Sequence, residues 1–175
     1  GISIQGQIEI QLNNTITNIK ENFPSIYQAS IDSICTGLAT LPPFIPINIL
    51  ASVAEVSEGI VRSFVSDLGR PLWITDNSVQ FRDEPTETWF RQRFSATSEQ
   101  IAHYVSQLKP FANTYTYVAE TLPALFLQAE MYDELINLAV SDELLPANNP
   151  IDERNVRVYR LQFAFKASLK LNRYK

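Results

Sequence analysis

The stretch 71–94, PLWITDNSVQFRDEPTETWFRQRF, decides how the rest of the chain is read. Its first half has the pattern of a small hairpin. Leu72, Trp73 and Ile74 form an apolar run, Thr75, Asp76, Asn77 and Ser78 are a cluster of turn residues, and Val79 and Phe81 resume an alternating apolar pattern. Its second half predicts a helix that starts at once. Asp83 or Glu84 can accept the free N–H groups of a first turn, and Pro85 suits the first helical position because its missing N–H costs nothing there. Trp89, Phe90 and Phe94 then supply an apolar stripe.

Upstream of the hairpin the spacing predicts short helices. In 1–24, Ile8, Ile10, Leu12, Ile16, Ile19 and Phe23 suit a helix stopped by Pro24, expected as the tail of a preceding helical domain. Ser25 is the expected N-cap of a helix over 25–41, closed by Pro42 and Pro43. Pro46 opens a second helix with Ile49, Leu50, Val53 and Ala54. Ser57 caps a third, carrying Ile60, Val61, Phe64, Val65 and Leu68, and Gly69 is placed to end it. Three short helices followed by a hairpin is the order of a winged helix, so 25–94 is assigned to one.

After Phe94 only helices are expected. Helical spacing covers 98–109, 114–130 and 132–145, with Pro123 expected to kink the second or mark its start. A turn at 147–150 precedes a last helix from Asp152, with Val158, Leu161, Phe165 and Leu169 on one side, and Val158, Leu161, Phe163 and Phe165 needing burial. Small residues such as Ala119, Ala129 and Ala139 suit close contacts between antiparallel helix pairs, so 95–175 reads as a TPR-like helical repeat segment. The expected fold class is therefore mainly α: a winged helix followed by antiparallel repeat-like helical hairpins.

Composition narrows the function. The chain has 175 residues, enough for one large domain or two small ones. Hydrophobic content of 45% supports a packed core. A formal net charge of −5 argues against general nucleic-acid affinity. The one cysteine, Cys35, cannot form an internal disulfide, which makes a reducing cytosol the natural compartment. No apolar run approaches the roughly 20 residues of a membrane helix. The start has no signal core and no initiator Met, so the chain is expected to be a piece of a longer protein.

Chemical motifs are sparse. There is no Gly-rich phosphate loop, and one Cys with one His, His103, makes no metal-ligand cluster. Asp83, Glu84 and Glu87 cluster, but in a first helical turn such carboxylates are stabilised by the helix dipole and need no catalytic role. The segment is therefore expected not to be an enzyme. The third helix offers Arg62 against Glu58 and Asp67, and the hairpin turn offers Asp76, a face neutral to repulsive toward a duplex. In the last helix Arg154, Arg157, Arg160, Lys166, Lys170, Arg173 and Lys175 read mainly as a charged rim, rather than an RNA or phosphate site, on a repeat helix whose next partner is missing.

The stretch FRDEPTETWF (81–90), with SFVSDLGRPLWI (63–74) before it, resembles the winged-helix region of STAND NTPases, the NACHT-like bacterial kind linked to antiviral defence. The stretch 108–146, LKPFANTYTYVAETLPALFLQAEMYDELINLAVSDELLP, resembles the helical sensor array of the same proteins. The resemblance covers about residues 25–175 and is most specific over 79–90. It implies a parent protein in which a P-loop ATPase core, a small helical domain and a winged helix close over ADP. A protein trigger then binds the repeat array, and the parent opens, exchanges ADP for ATP, forms a homo-oligomer and switches on an effector domain.

In related ATPases the winged helix carries an MHD-type triplet whose histidine approaches the ADP phosphate. Phe81-Arg82-Asp83 matches that triplet by position, so the resemblance makes Arg82 and Asp83 the nucleotide-sensor or interdomain candidates. Arginine in place of histidine departs from the pattern, although guanidinium is a good phosphate partner. An equal reading has Arg82 pinning the hairpin to Glu84 or Glu87. Two competing functions remain: a winged-helix DNA-binding transcription regulator with a helical ligand or dimerisation domain, and a helical scaffold in which the winged helix only packs.

Overall fold

Helix α1 (Ile4–Asn22) begins where the Ser3 hydroxyl accepts a hydrogen bond from the Gly6 amide at 3.0 Å. Extended backbone at Phe23 and Pro24 ends it. The computed structural model describes residues 1–147 and 149–173, the side chain of Arg173 excepted. They form mostly helix with one small sheet, in two compact units, Gly1–Ser95 and Ala96–Lys175.

In the first unit α2 (Gln28–Thr40) follows a 3-10 turn, Ser25–Tyr27. Ser25 does not cap the helix as expected. It lies inside that turn, where the Tyr27 amide donates to the Pro24 carbonyl at 2.8 Å. The rest of the unit is β1 (Ile45–Pro46), α3 (Ile47–Ala54), α4 (Glu58–Leu68), β2 (Leu72–Thr75), β3 (Ser78–Phe81) and α5 (Glu84–Arg93). The three strands form an antiparallel sheet in the order β1-β3-β2, with Ile74 opposite Val79 and Ile45 also opposite Val79.

Two local cues act as anticipated. The Ser57 hydroxyl accepts from the Ile60 amide, and Gly69, at φ 79°, ends α4 in a conformation that costs glycine least. Helix α1 buries Leu12, Ile16 and Ile19 and packs on α2, α4 and α5 of the same unit. The core is built from Ile31, Ile34 and Leu38 of α2, Ile49 and Leu50 of α3, Val61 and Phe64 of α4, and Phe90 of α5. A Cβ on Gly37 would sit 2.7 Å from Leu50 Cδ1, so glycine there lets α3 approach α2 closely.

The second unit holds α6 (Ser98–Leu108), a 3-10 turn Lys109–Phe111, α7 (Thr116–Gln128), α8 (Tyr132–Ala139) and α9 (Pro150–Arg173). A capping box of Thr97 and Gln100 starts α6. Pro123 lies inside α7, buried, and α7 starts seven residues earlier at Thr116. Helix α8 stops at Ala139, short of the expected 145. The Ser141 amide and hydroxyl both turn back to the Leu138 carbonyl, and Leu144 adopts φ 56°. Helix α9 begins at Pro150, two residues before Asp152, because the Asn149 side chain accepts from the amides of Ile151 and Asp152.

The apolar side of α9 expected to need a further helical partner is exposed. Val158, Leu161, Phe165 and Leu169 are 48, 58, 64 and 46% accessible, whereas Val156, Arg160 and Ala167 are buried. Apolar residues occur on both sides of α9, and α7 and α8 pack on the side where Val156 and Ala167 are small enough for close approach. Arg160 accordingly leaves the charged rim for the interior. Of the other cations in that rim, Lys175 and the Arg173 side chain lie outside the described residues, as does Asn148 of the 147–150 turn. No helix among the described residues is long and apolar enough to cross a membrane.

Candidate functional site

The corner between β3 and α5 is assembled from backbone upward. Asp76 and Asn77, at φ 51° and 58°, are the two central residues of the hairpin turn, and both positive values match a turn whose twist suits the strands. The turn is tied down on two sides. Arg62 Nη2 on α4 donates to Asn77 Oδ1 at 3.0 Å, and the Asn77 carbonyl accepts from the Ile47 amide at 2.9 Å. At the other end of the hairpin the Arg82 amide donates to the Pro71 carbonyl at 3.1 Å.

Asp83 follows in extended backbone and caps α5. Its Oδ1 accepts from the Thr86 amide at 2.8 Å. Glu84 is therefore the first helical residue and Pro85 the second, one place later than expected. Asp83 and Thr86 also line a cleft of about 360 Å³ with Ile8, Gln11, Thr15 and Arg70. Arg82 points elsewhere: its guanidinium lies 5.0 Å from the centre of the exposed Trp73 ring. Adjacent in sequence, the two candidate residues thus serve different surroundings.

The acidic cluster resolves into structural roles. Asp83 is the cap and Glu84 is an exposed first-turn carboxylate. Glu87 Oε1 accepts from Arg91 Nη2 at 2.9 Å and from Arg91 Nε at 3.2 Å. The expected Arg82 contact to Glu84 or Glu87 is not made. Glu87 belongs to Arg91, whose other donors reach the carbonyls of Ala39 at 3.0 Å and Leu41 at 3.3 Å. Arg91 is a residue that sequence reasoning missed. Its (i, i+4) spacing from Glu87 was visible, but its reach to the C-terminus of α2 depends on tertiary packing. Below the corner, Phe81, Trp89, Phe90 and Phe94 form a ring cluster with neighbouring centroids 5.1–5.7 Å apart.

Little else in the first unit bears chemistry. Burial, with Asp32 nearby, pushes the Cys35 thiol far above its ordinary pKa and leaves it an inert core residue. The exposed charges on α4 are Glu58, Arg62 and Asp67, and Arg62 is engaged by Asn77.

In the second unit His103 is exposed on α6, and burial pushes Tyr104 up to about 12. Burial, followed by the Asp152 charge, raises the Glu120 carboxyl. Arg157 binds Asp142 at 2.8 Å and Glu153 at 3.0 Å, and these carboxylates raise its pKa. Arg160 donates from Nη2 to the Leu144 carbonyl, while its Nε and Nη1 have no partner among the described residues. No cluster of metal-ligating side chains occurs among the described residues. No protein-family model matches the chain, and no curated protein matches it.

Proposed function

We propose that the chain is a regulatory, non-catalytic segment of a STAND-type signalling ATPase. Its first unit is a winged helix that helps hold an ADP-bound closed state. Its second unit is a helical-repeat segment that receives a protein trigger and relays it. ATP or ADP binds the parent protein's P-loop core, and the segment itself carries no nucleotide chemistry. In this reading the parent is cytoplasmic and assembles as a homo-oligomer when triggered.

The observation that carries this reading is the state of Arg82. The side chain is exposed, steadied on Trp73, and given no carboxylate among the described residues. A guanidinium presented in this way suits a phosphate or a carboxylate arriving from another domain. The order of three helices, hairpin and capped helix supports the winged-helix assignment, and the all-helical second unit is compatible with a repeat array. The DNA-reading alternative is less well supported, because α4 and the hairpin tip expose Glu58, Asp67 and Asp76 against one engaged arginine.

The test is Arg82→Ala in the protein that carries this chain together with its nucleotide-binding core. The expected result is faster ADP release and raised basal effector output, with Arg82→Lys intermediate. Wild-type ADP retention and basal output in Arg82→Ala would overturn the role. A titration of the chain against mixed-sequence duplex DNA at low and moderate salt separates the alternative. Tight, steeply salt-dependent binding would favour the transcription regulator.

A further inference from the structure

Helix α9 presents two opposite apolar faces. One packs against α7 and α8 through Val156 and Ala167. The other carries Ile151, Val158 and Phe165 at seven-residue intervals, flanked by Leu161 and Leu169, and all five are exposed. At about 100° per residue this line lies opposite the buried face, and a seven-residue recurrence is the seam that a second helix packs along in 3-4 geometry.

Charge selects the occupant. The exposed charged side chains of α9 among the described residues are Arg154, Lys166 and Lys170, all cationic. The acids of α9 are half-buried and engaged: Asp152 accepts from Thr116 and Glu153 from Arg157. A second copy of α9 is a poor fit. Antiparallel pairing with Ile151 opposite Leu169 would set Arg154 against Lys166, and parallel pairing would set each cation beside its own copy. Like charges opposed along a helix seam disfavour pairing.

We infer that this face of α9 docks an amphipathic helix of a partner protein, one whose apolar stripe is flanked by carboxylates. The partner's apolar side chains cover Val158, Leu161 and Phe165, and its acids meet Arg154 and Lys166, which flank that line on either side. This assignment rests on α9 alone and holds whether or not the chain belongs to an ATPase.

Two synthetic helices of about 20 residues, alike in their leucine stripe and flanked by Glu or by Lys, test it by fluorescence anisotropy against the whole chain. The Glu-flanked peptide is expected to bind about tenfold more tightly than the Lys-flanked one, an advantage that shrinks at high salt. Phe165→Asp is expected to weaken its binding by about tenfold or more, and Arg154→Glu with Lys166→Glu to reverse the preference. Residues 154, 165 and 166 are exposed, so these variants should keep the wild-type circular dichroism spectrum. Equal affinities for the two peptides, or a Phe165→Asp protein that binds as well as wild type, would overturn the proposal. A chain that sediments as a dimer and is dispersed by Phe165→Asp would overturn it in favour of a second copy.

Discussion

Arg91, in the last turn of α5, donates from Nη1 to the Ala39 carbonyl at 3.0 Å, across 52 positions of sequence. The last carbonyls of a helix have no partner within it, and those of α2 are half-enclosed by the packing of α5. A guanidinium serves them better than an ammonium because its donors lie in a fixed fork. Glu87 holds that fork in place. Arg91→Met should destabilise the first unit by about 1–2 kcal/mol, through orphaned carbonyls and an unpaired Glu87. Arg91→Lys should recover less than half of the loss. Both tryptophans, Trp73 and Trp89, lie in this unit, so urea unfolding followed by tryptophan fluorescence isolates the effect.

Arg82 and Asp83 should separate cleanly. Asp83→Ala removes the cap from α5 and should cost about 1 kcal/mol in the same assay, with Asp83→Asn close to wild type. Arg82→Ala removes an exposed cation over a ring and should shift stability by less than about 1 kcal/mol. A large loss from Arg82→Ala would mean that the residue holds the hairpin together, and any signalling defect would then reflect folding.

How much of this was legible in sequence depends on range. The caps at Ser57 and Asp83, the stop at Gly69 and the turn at Asp76–Asn77 are decided by residues within a few positions, and each is visible in the chain. The short strand β1 was not anticipated, because two residues carry no period and pairing with Val79 and Ser78 alone defines it. The inner face of α9 is not legible for a related reason. Apolar residues lie all round that helix, so its periodicity could not say which face α7 and α8 would cover. Arg160 was grouped with its solvated neighbours because a run of cations gives no sign of which one turns inward.

Asn77 makes a clean case for separating backbone from side chain. At φ 58° every residue with a Cβ is strained, asparagine and aspartate least, whereas glycine is not. Asn77→Ala should cost about 1–2 kcal/mol, combining the strained backbone with loss of the Arg62 hydrogen bond. Asn77→Gly keeps the turn and loses only the bond, so its cost should be well under that of alanine. Equal losses in the two variants would show that the contact between α4 and the hairpin turn matters more than the turn geometry.

Arg160 supplies the prediction with a pH signature. It is 1% exposed, makes one hydrogen bond to the Leu144 carbonyl, and leaves Nε and Nη1 without partners among the described residues. Burial, with the neighbouring Arg157 charge, pulls its pKa down to about 10. A cation whose pKa falls on folding destabilises the folded state wherever it is charged. The unfolded chain binds more protons above about pH 10, so stability contributed by this group rises with pH from there toward the ordinary arginine range. Below that window the penalty is fully present. Arg160→Met keeps a long side chain without the charge and should stabilise the chain near neutral pH by about 1–2 kcal/mol, because one hydrogen bond and the attraction of Glu143 do not offset the burial of the guanidinium beside Arg157. The difference between variant and wild type, read from urea unfolding by far-ultraviolet circular dichroism, should be constant from pH 6 to about 9 and narrow above about pH 10. A destabilised Arg160→Met, or a difference that widens at high pH, would show that Arg160 is held by stronger contacts than its one bond to Leu144.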